Sequence, residues 1–181
     1  MPHHTASGTP GHLILVGLPG AGKTTVGRAV AEKLGRPFLD FDEEIERRKG
    51  VRVADIFGRR GESYFRSLER ALTEELVAAP AMVLAPGGGW ITVPGVVALL
   101  RPPGRIIHLR VRPETAIVRL GKNMADRPLL RVPDPLAALQ HLLERREPYY
   151  RCADAVLDVD LLDVQQVTEI VARVAGWREG G

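Results

Sequence analysis

Gly17-Leu-Pro-Gly20-Ala21-Gly22-Lys23-Thr24 sets a glycine, four residues, a second glycine, then lysine and threonine, the spacing with which a backbone turn binds a phosphate chain. Glycines at 17, 20 and 22 let the chain curl inward. Successive N–H groups and the positive end of the following helix then face one anion. In such a loop Lys23 neutralises the β and γ phosphates and the Thr24 hydroxyl holds magnesium, with Ala21 and Thr25 completing the nucleotide-binding set. A Gly-rich turn can also merely join a strand to a helix. Here the glycine spacing, the Lys-Thr pair and the flanking elements all agree on phosphate. No Asn-Lys-x-Asp guanine reader occurs, so the expected nucleotide is ATP.

Asp40 and Asp42 flank Phe41 at the end of an expected strand, Pro37–Asp42. Residues two apart in a strand face one side, so both carboxylates are expected in one cleft at the carboxyl end of a sheet. Asp40 is assigned to the metal shell through water, and Asp42 to the acceptor hydroxyl, which it orients or deprotonates. Either aspartate can instead cap the helix that starts near Glu43.

These groups need a scaffold that brings strand ends together, and the hydrophobic pattern supplies one. Strands are expected at His12–Gly17, Pro37–Asp42, Ala81–Ala85, Arg105–Val111 and Ala155–Val159. Helices are expected at Lys23–Leu34, Glu43–Lys49, Glu62–Ala79, Val93–Leu100, from Pro113, at Leu136–Glu147 and at Val164–Ala175, with one short turn at Val53–Phe57. Gly35 and Gly50 are stop signals, and the proline-rich Gly121–Pro135 reads as a loop. Strands alternating with helices predict an α/β fold, a parallel sheet covered on both faces.

With 181 residues, 45% of them hydrophobic and 26% charged, the chain fits one globular domain with a real core. The net charge of +3 is spread along the chain, which speaks for small anionic ligands rather than nucleic acid. Cys152 is the single cysteine, so no intrachain disulfide or cysteine-based metal site can form. No secretory signal and no membrane-spanning run is read. The expected address is the cytoplasm, residues 1–11 are expected to be disordered and 177–181 to form a tail.

Beyond the phosphate loop, several motifs follow in order: Asp40-Phe-Asp42, Gly61-Glu-x-x-Phe65-Arg66-x-x-Glu69, Gly87-Gly88-Gly89 after a strand, Arg127-Pro128-Leu129-Leu130 and Arg146-Glu-Pro148-Tyr-Tyr150. From about His12 to Asp160 this series resembles the shikimate kinases, a branch of the nucleoside-monophosphate-kinase-like P-loop enzymes. The resemblance implies a five-stranded parallel sheet, an acceptor-binding region at about 42–75 and a lid at about 121–135. It implies transfer of the ATP γ-phosphoryl group to the 3-hydroxyl of shikimate, and with the Mg2+ that Thr24 and Asp40 are expected to hold, the expected state is a monomer.

By the same resemblance Arg66 and Arg146 grip the substrate carboxylate, and Asp42 contacts the ring hydroxyls. The backbone of Gly87, Gly88 and Gly89 lies against the substrate, Phe57 and Phe65 wall its pocket, and Arg127 closes over the phosphates. Taken singly, each arginine can be a solvated surface residue, each phenylalanine core and the glycines a flexible turn. Trp90 replaces the small residue usual after the three glycines, so it either packs outward or reshapes the acceptor pocket. Leu120 occupies the position of a second family arginine, and Arg119 one place earlier is expected to contact ATP instead. The alternatives are another small-metabolite kinase such as a gluconate kinase, or a non-catalytic nucleotide-binding module.

Overall fold

The computed structural model describes residues 11–176. The expected disordered leader, except Gly11, and the expected tail lie outside them. Gly11 itself is packed, since a Cβ there would come within 2.2 Å of the Pro103 backbone.

Five parallel strands, β1 (Leu13–Val16), β2 (Phe38–Asp40), β3 (Val83–Ala85), β4 (Arg105–Arg110) and β5 (Ala155–Asp158), lie in the order β2-β3-β1-β4-β5. Side chains alternate across β1. Leu13 and Leu15 enter one buried cluster, while Ile14 and Val16 enter the other on the opposite face. Both faces are therefore apolar, as a parallel sheet requires. From β1 the chain runs to β2 and β3 on one side and then crosses to β4 and β5 on the other, so the carboxyl end of β1 is the switch point where such sheets bind ligands.

Among the described residues seven α-helices connect and cover the strands: α1 (Lys23–Leu34), α2 (Phe41–Lys49), α3 (Val53–Leu76), α4 (Val96–Leu100), α5 (Pro113–Leu120), α6 (Pro135–Tyr150) and α7 (Val164–Gly176). The α4 helix starts at Val96 rather than Val93, and the ends of the strands shift by one or two residues; four further differences from the sequence reading bear on the site. Phe41 begins α2 because the Asp40 side chain accepts from the Glu43 N–H at 3.1 Å and caps the helix. The strand thus ends at Asp40, and Asp42 sits in the helix's first turn rather than in the strand.

The expected turn at Val53–Phe57 and the helix after it are two arms of α3 meeting at Gly61, whose φ of 78° breaks the helical run. The expected Gly121–Pro135 loop contains two 3-10 stretches, Gly121–Asp126 and Pro128–Leu130. The α6 helix runs past Pro148 to Tyr150, because proline near the last turn forfeits only one carbonyl's bond.

Of the two alternatives for Trp90, the outward one fails. It is fully buried behind the glycine turn, packs edge-on against Phe41 at 6.3 Å and donates its indole N–H to the Thr73 hydroxyl at 2.9 Å. It is not turned outward. Replacing Trp90 with Phe removes that bond and some packed volume, and should lower the unfolding free energy by about 1–3 kcal/mol in urea titrations.

Candidate active site

The phosphate loop is held by backbone crowding. Gly17 and Gly20 have φ of 154° and 85°, and a Cβ on either would strike the Leu109 or Ala116 carbonyl at 2.5 or 2.6 Å. The α1 helix is entered through Gly22, φ 90°, with no side-chain cap, so its first amides are free for an anion. Lys23 reaches back across the loop and donates to the carbonyls of Gly17 (2.8 Å) and Leu18 (3.0 Å). Its pKa is pushed down to about 7, by burial first and then by the neighbouring Arg127 and Arg146.

Asp40 serves two readings at once. One carboxylate oxygen caps α2, and the other accepts from the Thr24 hydroxyl at 2.5 Å. In the first turn of α2, Asp42 faces the same cleft as Asp40, although the strand argument that predicted it fails. Asp42 Oδ2 meets Arg127 at 3.3 Å, and its buried Oδ1 has no hydrogen-bond partner. Burial first, then Asp40, raises the Asp42 pKa, against Arg127 and Lys23. The result is a carboxylate more basic than usual.

Two clefts adjoin at the sheet end. The first, about 150 Å³, is lined by Gly20, Gly22, Lys23, Thr24, Thr25, Asp40, Asp42, Gly87, Gly88 and Arg127, with Pro19, Ala85, Pro86 and Leu120. The second is lined by Asp42, Phe57, Phe65, Arg66, Gly87, Gly88, Gly89, Arg127 and Arg146, with Pro19, Val53 and Pro128, Leu129 and Leu130. Pro19, Asp42, Gly87, Gly88 and Arg127 belong to both walls. Asp42 and Arg127 therefore stand where contents of one cleft would meet those of the other.

The glycine turn explains itself by what lies against it. A Cβ at Gly87 would come within 2.5 Å of Glu69 Oε1, at Gly88 within 2.6 Å of Arg146 Nη1, and at Gly89 within 2.1 Å of Arg66 Nη2. Arg66 pairs with Glu69 (2.6 Å) and Glu62 (2.9 Å). Arg146 is buried, with Nη1 unpartnered, and burial lowers its pKa. Phe57 and Phe65 pack at 5.0 Å as one apolar wall. A third cleft, about 450 Å³, brings Gly20, Ala21, Gly22, Thr25 and Arg119 together with Val159, Leu162 and Val167. Arg119 is fixed there by donating to the Val159 and Asp160 carbonyls. The structure thus gathers all the sequence-predicted side chains around the adjoining clefts, with the Gly17 carbonyl beneath Lys23.

Glu69 was missed as a site residue, although the motif contains it. It is fully exposed to neither cleft nor solvent, at 0% accessible surface, and its Oε1 has no partner. Its signal was present, because Phe65, Glu69, Leu72 and Leu76 fall on one helical stripe and a carboxylate on an apolar stripe is a buried carboxylate.

Thr24 and Asp40 are hard oxygen donors in contact, with the unpartnered Asp42 Oδ1 in the same cleft. They suit a magnesium ion that takes its remaining ligands from water and phosphates. Among the described residues no group of three or more His, Cys, Asp or Glu is arranged for a metal, so a protein-only metal cage is not offered.

Residues 19–175 match the family model described as Shikimate kinase. A shikimate kinase of Moorella thermoacetica is 43% identical over 173 residues, covering 94% of this chain and 98% of the relative. One of Burkholderia thailandensis is 45% identical over 161 residues, 88% of this chain and 87% of the relative. Among solved structures, shikimate kinase from Acinetobacter baumannii in complex with shikimate superposes with TM-score 0.83 at 38% identity, covering 92% of this chain and 91% of that one. A gluconokinase from Sinorhizobium meliloti, TM-score 0.59 at 18% identity with 93% of each chain covered, shares the fold.

Burial, with Asp42 adding to it, raises the Glu69 pKa from 4.5 to about 7. The native state therefore holds this proton more tightly than the unfolded chain. The resulting stabilisation is whole below pH 4.5 and is lost as pH rises through about 7. Glu69→Gln, which cannot ionise, should gain stability relative to the parent as pH rises across that window; parallel urea midpoints from pH 5 to 8 would contradict it.

Proposed function

The chain belongs to the shikimate kinase family, and from that premise we propose how its clefts divide the reaction. The activity is transfer of the ATP γ-phosphoryl group to the 3-hydroxyl of shikimate, giving 3-phosphoshikimate and ADP in aromatic amino-acid biosynthesis. The observation that supports the division is the shared wall of Asp42 and Arg127 between a phosphate loop on one side and two arginines on the other.

In this reading the loop from Gly17 to Thr25 cradles the triphosphate with its amides and with Lys23, and Arg119 with its apolar neighbours seats the base. Arg66 and Arg146 hold the shikimate carboxylate, each guanidinium able to give it two parallel hydrogen bonds. The Gly87–Gly89 backbone and the Phe57–Phe65 wall fix the ring, and Asp42 takes up the acceptor hydroxyl. Its raised pKa suits it to orient that hydroxyl and accept its proton. Arg127 places positive charge where the transferring group crosses from one cleft to the other, in a transition state that needs charge stabilisation more than covalent help.

Thr24 directly and Asp40 through water would hold Mg2+, which when bound neutralises phosphate charge. Residues about 42–75 form the acceptor-binding region and about 121–135 the lid. No described helix is long and apolar enough to cross a membrane; we place the protein in the cytoplasm, as a monomer acting on small molecules.

Arg127→Ala should lower kcat by about 10²–10³-fold, as loss of one transition-state donor does. Arg66→Ala should raise KM for shikimate by at least about tenfold with KM for ATP little changed. Both are read by ADP release with magnesium present. Lys23→Ala should fail with every acceptor tried. Preference for gluconate over shikimate in a panel of hydroxy acids would overturn the acceptor assignment.

A further inference from the structure

We propose that Tyr150 is a positioning residue that keeps the Arg146 guanidinium aimed at the acceptor's carboxylate, an assignment that rests on the acceptor reading above. Arg146 Nη1 and the Tyr150 hydroxyl are two buried polar atoms without hydrogen-bond partners, and they belong to side chains one turn apart on α6. The residues are 4% and 2% exposed. Most buried polar groups in a fold are paired, so two orphans side by side mark a place where the chain has left bonding capacity unspent.

The two groups act on each other. Burial pushes the Tyr150 phenol up and Arg146 pulls it back, while Tyr150 supports the guanidinium charge that burial opposes. No hydrogen bond of full geometry joins them, yet each lies close enough to act on the other's charge.

Three features fix the pair. The α6 helix continues through Pro148 and so carries Tyr150 onto the face of Arg146. The Tyr150 ring stacks on His108 at 4.1 Å and 20°. His108 is paired in register with Val16, the residue before the phosphate loop. Its pKa is pushed down to about 4, by burial first and then by Arg110 and Lys23, so near neutral pH the plate beneath the tyrosine is uncharged and does not compete with Arg146. On another side, the missing side chain of Gly88 leaves room for Nη1.

A guanidinium has five donors and no acceptor. Bounded by Gly88 and by a phenol oxygen that can only accept from it or donate elsewhere, Arg146 keeps its unspent donor toward the cleft rather than toward solvent. Such preorganisation shows in affinity for the group it receives.

Tyr150→Phe keeps the ring and its stack and deletes only the hydroxyl. KM for shikimate should rise about 3–10-fold while kcat and KM for ATP stay within about twofold. The melting temperature should not fall, since no closed hydrogen bond is lost. With an acceptor whose carboxylate is replaced by hydroxymethyl, parent and variant should show equal KM.

An unchanged shikimate KM, an equal rise for both acceptors, or a rise matched by a lower melting temperature would each overturn the role. Arg146→Lys, measured in parallel, separates the two readings. If it leaves the shikimate KM unchanged, the acceptor reading itself fails; if it raises KM while Tyr150→Phe is silent, only the tyrosine's role is lost.

Discussion

The absence of side chains at three consecutive positions is what the cleft lined by Arg66 and Arg146 depends on. At Gly87, Gly88 and Gly89 a single added carbon would collide with Glu69, Arg146 and Arg66 respectively. Each glycine thus admits one charged group that reaches the turn from α3 or α6. Flexibility is not the reason for these glycines, since none of the three has a positive φ. They are there because charged groups must approach the backbone closely, and behind them Trp90, wedged against Phe41 and bonded to Thr73, holds the turn from the core side.

The charge arrangement that results is unbalanced by design of the fold. Lys23, Arg66, Arg127 and Arg146 converge with Asp40, Asp42 and Glu69, yet only Arg66 with Glu69 and Arg127 with Asp42 form ion pairs among these. Lys23 spends itself on carbonyls and Arg146 leaves a nitrogen unpaired. Isolated buried charge is expensive. A site that tolerates it gains most from a partner that is itself anionic, which is the shared property of a triphosphate and a carboxylate. The same burial that lowers the Lys23 and Arg146 pKa values raises those of Asp42 and Glu69, so an anionic ligand is bound more strongly here than it would be by the same cations in water.

Much of this was legible in the residues, and the failures have physical causes. The phosphate loop, all five strands and the parallel α/β architecture follow from glycine spacing and apolar runs, because those signals are local. Asp40 and Asp42 were placed in one cleft by a strand's period of two, but a helix cap ended the strand between them; the conclusion survived since the first turn of α2 faces the same end of the sheet. Trp90 could not be placed from sequence, because whether an indole turns inward depends on Thr73, seventeen residues earlier, supplying an acceptor. The roles of Glu69 and Tyr150 lie in burial and unpaired atoms. These are properties of packing between α3, α6 and the glycine turn that no spacing along one element carries.

Arg127 lines both clefts, and its present bonds leave it free to act in either. Its contact with Asp42 is long, at 3.3 Å, and the arginine side chain is 42% exposed. The neighbouring tie between the same segment and the start of α3, Arg52 to Asp126, joins side chains 65% and 53% exposed. The Arg52–Asp126 pair, open to water on both sides, contributes about 0–1 kcal/mol, and the Arg127–Asp42 contact is long and reached from an exposed arginine, so the two hold the segment over the site without locking it there. A buried, bidentate tie at either point would hold Arg127 on Asp42 and withhold both from substrate. In the proposed mechanism weakness at these two contacts is a requirement, because there the cation beside Asp42 exchanges the carboxylate for phosphate while Asp42 turns to the acceptor hydroxyl.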